Sequence, residues 1–442
     1  MLGIILLLVS LVIYFKPRYR YISYFIYISY MLGADGGGFG LWTDAVLGVK
    51  DKDLAIIYTF IISIYLISKG EYKLPKFKFF KLYKLFCLFF ICSVLFSYTY
   101  YEFSFYQILQ GGRDFFIIFS LPILIRIKED ELAKVLQLLL YVTVITSVLF
   151  ILQIVVGQPL MPYSTKPNID PTVGLIRIYN SPALLDFFLI FTFVRPEYFG
   201  KKVNLLRALF LIALICTFGR TFIFSTIVSV LLAMMFLGKA SKLIKTIVII
   251  CILSIPFVGL VTSRFEKEGT SDDLSAIKSG DFKDYNMGEG GTMTYRIAWI
   301  YERFDYLINR PISEQIFGLG LISDSQPIVN KKYNFKIGLY DPVTLTPAQL
   351  YTPDIAYGNL LSRLGFVGGI IYLLFLVNLT IFLYKNKKKN VLFIISSTQL
   401  IMLFFNSMAG SALSEPKNLV MYFITISTIF MTSKNNIINN KI

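Results

Sequence analysis

Thirteen predominantly apolar runs constrain this chain more than any other feature. They fall at 1–15, 20–34, 54–68, 82–99, 107–125, 132–156, 181–194, 205–219, 221–238, 243–262, 360–384, 391–409 and 419–433. About 20 apolar residues cross a bilayer, and backbone in lipid must satisfy its own hydrogen bonds. The runs therefore predict an all-α polytopic membrane protein of about 12–14 transmembrane helices. Composition agrees: only 16% of the 442 residues are charged, against about 25% in soluble domains. Run 1 lacks a basic n-region and a small-residue cleavage site, so it reads as a span rather than a signal peptide. The expected organisation is transmembrane helices 1–10 over 1–262, a large outer loop over 263–355, helices 11–13 over 356–433, and an inner tail over 434–442.

The net charge of +16 suggests nucleic acid until it is mapped onto these runs. With the N-terminus outside, the inner segments are 16–20, 69–84, 126–134, 195–207, 238–245, 385–390 and the tail. They hold 25 of the 43 Lys and Arg but five of the 27 acids, a net +20 that leaves −4 elsewhere. The charge is thus a topology signal and an attraction to anionic inner-leaflet lipid; no nucleic-acid partner is expected. The chain has no histidine, which excludes a Ser-His-Asp triad, a His-ligated zinc and a His general base. Cys87, Cys92, Cys216 and Cys251 all lie in apolar runs and read as small hydrophobes. Walker A, GxGxxG, EF-hand and zinc spacings are all missing, so neither cofactor nor metal is expected.

Two outer segments are long, 157–180 and 263–355. Within the second, 294–309 has Ile297, Ile300, Phe304, Leu307 and Ile308 at helical spacing, with Pro311 as the stop. Residues 338–353, with three prolines, read as a structured loop. Arg113, Arg177, Arg220, Arg296, Arg303, Arg310 and Arg363 gather on the outer side. Charge beside a span is costly and suggests function, and guanidinium groups fork onto phosphate oxygens. Arg220 is the sharpest, in a two-residue hairpin, Gly219-Arg220, between two runs. Snorkelling or local pairs such as Arg113–Asp114 are the structural alternative. Asp354 stands where the large loop re-enters the membrane, three residues before Tyr357, so on a helix the two would share a face; it could equally be a cap. Asp186 lies inside run 7. Asp51 and Asp53 form a D-x-D triplet of low specificity, and Asp272-Asp273 reads as solvated.

Three segments resemble the O-antigen polymerase and ligase superfamily, the Wzy- and WaaL-type proteins. CTFGRTFIFSTIVSVLLAMM (216–235) looks like the family's paired spans with an arginine at the turn. TYRIAWIYERFDYLINRPISEQIFGLGL (294–321) is similar to its large-loop signature, through Arg296, Trp299, Pro311, Gly318 and Gly320. DIAYGNLLSRLGFVGG (354–369) resembles its re-entry segment. Ligases of the superfamily have a histidine where this chain has Asp354, so the resemblance leans toward a Wzy-type polymerase. The family's repeated Arg/Gly loop motif does not map cleanly onto 157–180.

The resemblance implies glycosyl transfer between undecaprenyl-pyrophosphate-linked oligosaccharide repeat units, donor and acceptor, building O-antigen or capsular polysaccharide at the periplasmic face of a bacterial inner membrane. Arg220 and Arg296 would clamp the pyrophosphate, with Arg177, Arg113 and Arg303 as further substrate contacts. Asp354 would serve as base or acceptor orienter, and Tyr357 as a sugar or phosphate contact. Trp299, Tyr301, Tyr340 and Tyr351 could stack on sugars, although packing suits Trp299 better. Membrane lipid, a chain-length regulator and a flippase are the implied partners. Competing readings are an O-antigen ligase, a metal-dependent lipid-sugar transferase using Asp51 and Asp53, and a flippase or transporter. The last should show repeat symmetry and short loops, and this chain has neither.

Overall fold

The computed structural model describes residues 2–33, 49–72, 74–75, 77–161, 168–169, 176–178, 181–238, 292–341 and 346–439. Helices dominate it. The first ten are α1 (Leu2–Tyr14), α2 (Arg20–Leu32), α3 (Asp51–Ser68), α4 (Lys78–Thr99), α5 (Phe105–Phe116), α6 (Leu121–Leu124), α7 (Glu129–Val156), α8 (Leu185–Val194), α9 (Val203–Cys216) and α10 (Arg220–Phe236). The large loop holds α11 (Thr292–Ile308), α12 (Ile312–Phe317) and α13 (Pro327–Lys332); α14 (Ala356–Lys385), α15 (Val391–Asn406) and α16 (Val420–Asn439) complete the set. Among the described residues, strands form two antiparallel pairs of two residues each, β1 (Asn168–Ile169) with β2 (Ile176–Arg177) and β3 (Tyr340–Asp341) with β4 (Thr346–Pro347).

Twelve of the thirteen expected spans fall on helices; run 243–262 lies outside the described residues. By length and composition α4, α7 and α14 suffice to cross a membrane, and α1, α8, α10 and α15 are shorter apolar helices. This is an all-α membrane protein. Run 107–125 is not one helix: α5 gives way to a 3-10 turn at Ile117–Ser120, and Pro122 lies in the short α6. α7 starts on local chemistry. Three acids occupy its first turn, where the helix dipole favours them, and the Glu131 carboxylate accepts the Lys128 N–H at 3.0 Å. Gly157, at φ 73°, ends it in the left-handed conformation.

α4 shows how such helices divide their surface. Phe79, Phe80, Tyr83, Phe86 and Phe90 are buried, while Leu85, Leu88, Ile91 and Leu95 are exposed. A helix apolar on both faces is one whose solvent is hydrocarbon. Polar pairs tie helices together: the Ser23 hydroxyl meets Tyr58 Oη at 2.7 Å and Tyr30 donates to the Gly3 carbonyl at 2.6 Å, joining α1, α2 and α3. Three of the connections assigned to one side, 16–20, 69–84 and 126–134, do share one end of the bundle. Arg20, Gly70, Glu71, Arg126 and Lys128 line a single cavity there. At the other end, the large loop lies on the tips of α4 and α5. Tyr101 donates to the Gly318 carbonyl at 2.8 Å, and the Leu321 N–H donates to Ser97 Oγ at 3.0 Å.

Candidate functional site

The large loop is latched to α14 by two glycines. Gly365 breaks the helix, with φ 65° and ψ −169°, and Gly318 has φ 75°; both lie in the region that favours glycine. A Cβ on Gly318 would come within 2.6 Å of Gly365 N, and one on Gly365 within 2.5 Å of Gly318 N. The break frees the Ser362 carbonyl, which the Leu319 N–H takes at 2.7 Å. One turn earlier, Trp299 of α11 is fully buried against Gly358, where a Cβ would lie 2.4 Å from the ring.

Around this latch the same end of the bundle carries a network of alternating charge. Lys52 at the start of α3 contacts Asp114 of α5 at 2.5 Å, and Arg113 reaches Asp53 at 3.7 Å. The Arg113–Asp114 neighbours therefore pair across to α3 rather than with each other. Asp53 also accepts the Lys50 N–H at 2.9 Å, so the D-x-D triplet begins a helix and faces cations. Between α15 and α16, Glu415 takes Lys417 at 2.7 Å, the Ser411 hydroxyl at 2.5 Å and the Tyr351 hydroxyl at 3.0 Å. Burial alone would raise the Glu415 carboxyl; the charges of Lys417 and Lys52, with hydrogen bonds from Lys417 and Ser411, outweigh it and hold it at about 2. Arg363 stands 5.5 Å from the Tyr351 ring centroid and is 9% exposed.

The residues singled out from sequence stand in different situations. Asp354 precedes α14, whose cap is Ile355, so it shares no helical face with Tyr357 and does not cap the helix. Its carboxylate receives the Thr352 hydroxyl at 3.4 Å, and Tyr295 of α11 meets that hydroxyl at 3.3 Å. Arg296 follows Tyr295 on α11, about 100° further round the helix. The Tyr357 hydroxyl donates to the Phe404 carbonyl at 2.9 Å and ties α14 to α15. Arg220 is the first residue of α10; the turn from α9 is Thr217-Phe218-Gly219, with Phe218 at φ 49°, rather than the two-residue hairpin expected. α10 packs on α8, α9 and α15, and α11 packs on α12 and α14. Arg220 and Arg296 thus belong to separate helix groups that meet through α14 and α15. Arg177 lies in β2, opposite Asn168.

Arg303 departs from expectation. Its side chain has no exposed surface. The guanidinium lies 4.0 Å from the Trp299 ring and 4.3 Å from Phe335, donates to the Gln349 carbonyl at 3.1 Å, and pairs with Glu302 at 2.6 Å. Burial lowers its pKa to about 10. A guanidinium spent in this way has nothing left for a phosphate. The buried face of α11 is accordingly Tyr295, Ala298, Trp299, Arg303 and Leu307, while Phe304 and Ile308 are exposed. Sequence reasoning missed Lys52, Glu415, Lys417 and Asn359. Asn359 staples the re-entry segment by exchanging hydrogen bonds with Thr352, 2.9 and 2.7 Å. Only the Glu415-Pro-Lys417 spacing between two spans hinted at any of them.

Residues 205–373 match the family model for O-Antigen ligase. The match runs from α9 into α14, and Arg220, Arg296, Arg303, Asp354, Tyr357 and Arg363 lie inside it; Arg113 and Arg177 lie outside. It supports the O-antigen polymerase and ligase superfamily, and with it a membrane function of that type in polysaccharide assembly on lipid-linked substrates. It does not separate polymerase from ligase. No curated protein matches the chain at a significant level.

Proposed function

We propose that the chain is a Wzy-type polymerase, joining undecaprenyl-pyrophosphate-linked repeat units at the periplasmic face of the bacterial inner membrane. One observation carries the reading. The matched segment supplies two arginines, Arg220 and Arg296, together with a carboxylate, Asp354, where ligases of the superfamily have histidine. In the reaction, an acceptor hydroxyl oxygen attacks the anomeric carbon of the donor glycan. The bond from that carbon to the pyrophosphate oxygen breaks, and its electron pair leaves with lipid pyrophosphate. Arg220 and Arg296 carry the growing charge through forked hydrogen bonds. Asp354 takes the hydroxyl proton. Membrane lipid surrounds the enzyme, and a flippase and chain-length regulator act beside it.

The test is polymer formation by purified protein from the host's lipid-linked repeat unit. Arg220→Ala should slow it about 10²–10³-fold, as loss of an anion-stabilising donor does elsewhere. Full-rate polymer from a well-folded Arg220→Ala protein overturns the clamp. A ligase is the second reading, favoured by the description of the matching family. It would transfer glycan to lipid A-core and make no polymer from repeat units alone.

A further inference from the structure

Asp186 has no part in the chemistry above, yet it is a carboxylate inside a bundle of apolar helices. It lies in the first turn of α8 and lines a cavity of about 220 Å³ between α8, α10, α15 and the 412–422 segment. Its Oδ1 accepts the Phe187 N–H at 2.8 Å, and its Oδ2 accepts Gln399 Nε2 at 2.7 Å. A carboxylate only accepts, so it fixes the Gln399 amide with its nitrogen toward Asp186. The amide oxygen is left without a hydrogen-bond partner among the described residues, on a side chain 92% buried from its 8% exposure. Leaving a buried acceptor unfilled is costly. Asn406, Asn418 and Ser225 add amides and a hydroxyl to the same wall, and Phe187 and Phe222 add apolar ring faces.

A carboxylate, amides and a hydroxyl beside aromatic faces match the two surfaces of a sugar ring, hydroxyl edge and C–H face. The volume suits one ring, below the roughly 300–1,000 Å³ of drug-sized sites. We propose that this cavity is a monosaccharide subsite for the lipid-linked glycan, in which the Gln399 amide turns its oxygen into the cavity and, with Asp186, accepts hydrogen bonds from sugar hydroxyls. Phe222, Ser225, Thr226 and Ser229 of α10 line the cavity, so a sugar there would lie along the helix that begins with the arginine assigned to its pyrophosphate. The inference rests on the proposed use of a lipid-linked glycan but not on polymerisation as the outcome.

Ser225→Cys, in a full-length protein whose native cysteines are replaced, reports on the cavity through its rate of modification by a hydrophilic methanethiosulfonate. Lipid-linked repeat unit extracted from the host should slow modification at least fivefold, and undecaprenyl pyrophosphate without sugar should not. Gln399→Leu, which keeps the side-chain size, should raise the half-saturating concentration of repeat unit about tenfold, the loss of one hydrogen bond, with maximal rate changed less than threefold. Equal protection by the bare lipid pyrophosphate overturns the proposal, as does no protection at all or a Gln399→Leu effect confined to maximal rate. Polymer formation without protection sinks the subsite and leaves the polymerase standing. Protection without polymer does the reverse.

Discussion

Arg303 and Arg220 carry the same charge and stand in opposite environments. Arg303 is sandwiched between two rings and bonded to the Gln349 carbonyl, whereas Arg220 begins a helix and is partly exposed. Arg303→Met should therefore destabilise the loop by about 3 kcal/mol or more and speed its proteolysis. Arg303→Lys should not rescue it, because an ammonium cannot stack or fork; recovery of wild-type thermal stability by lysine would refute this role. Glu415 supplies a pH dependence. Its folded carboxyl is held at about 2, below the usual value of about 4.3, so it stabilises the fold fully above that usual value and loses the effect as pH falls toward 2. Glu415→Gln should unfold more easily than wild type at neutral pH, with the difference closing near pH 2 in a series of thermal melts. A difference that grows on acidification would contradict it. Neither role was legible in the sequence. An arginine reads alike whether it meets phosphate or a ring, and Glu415 gains its low pKa partly from Lys52, far away in the chain.

At the scale of elements, hydrophobic period located almost every helix but misjudged which face was inward. The spacing through Ile297, Phe304 and Ile308 suggested one stripe on α11; packing against Gly358 and Phe335 chose another, with Arg303 inside it. Apolar residues cover both faces of a helix in lipid, so period alone cannot tell protein from hydrocarbon. The break in α14 was also hidden, since Gly365 lies inside run 360–384, which reads as one continuous span. Gly365→Ala would place a Cβ 2.5 Å from Gly318 N at a positive φ. It should unlatch the loop while leaving the spans intact, seen as faster amide exchange at Leu319, whose N–H makes the latch bond, with unchanged helix content. Unaltered protection at Leu319 would show that the latch is dispensable.

For the molecule as a whole, charge bias was the most legible property. It sorted the connections into two sets, and Arg20, Glu71 and Arg126 do meet at one end while Ser97, Tyr101 and Leu321 meet at the other. Which end faces the cytoplasm follows from the positive-inside rule. A cysteine at Asp305 should react with an impermeant maleimide in spheroplasts, and one at Lys388 only after permeabilisation. The opposite pattern would invert the molecule and overturn the proposed periplasmic placement of the site. The site itself was only partly legible. The motifs flagged Arg296 and Asp354, but the charge network around the latch draws on α3, α5 and the 411–417 turn, which no local pattern links.

The seat of Leu321 on Ser97 has a consequence for biogenesis. The two residues are 224 positions apart, and ribosomes add roughly 5–20 residues per second, so α4 waits on the order of ten to forty-five seconds for its partner. During that interval the tips of α4 and α5 present unsatisfied hydroxyls and bare aromatic rings at the membrane surface. Until the loop has been made and docked, the early spans are an unfinished client, open to quality-control proteases and to chaperones that guard half-assembled helices.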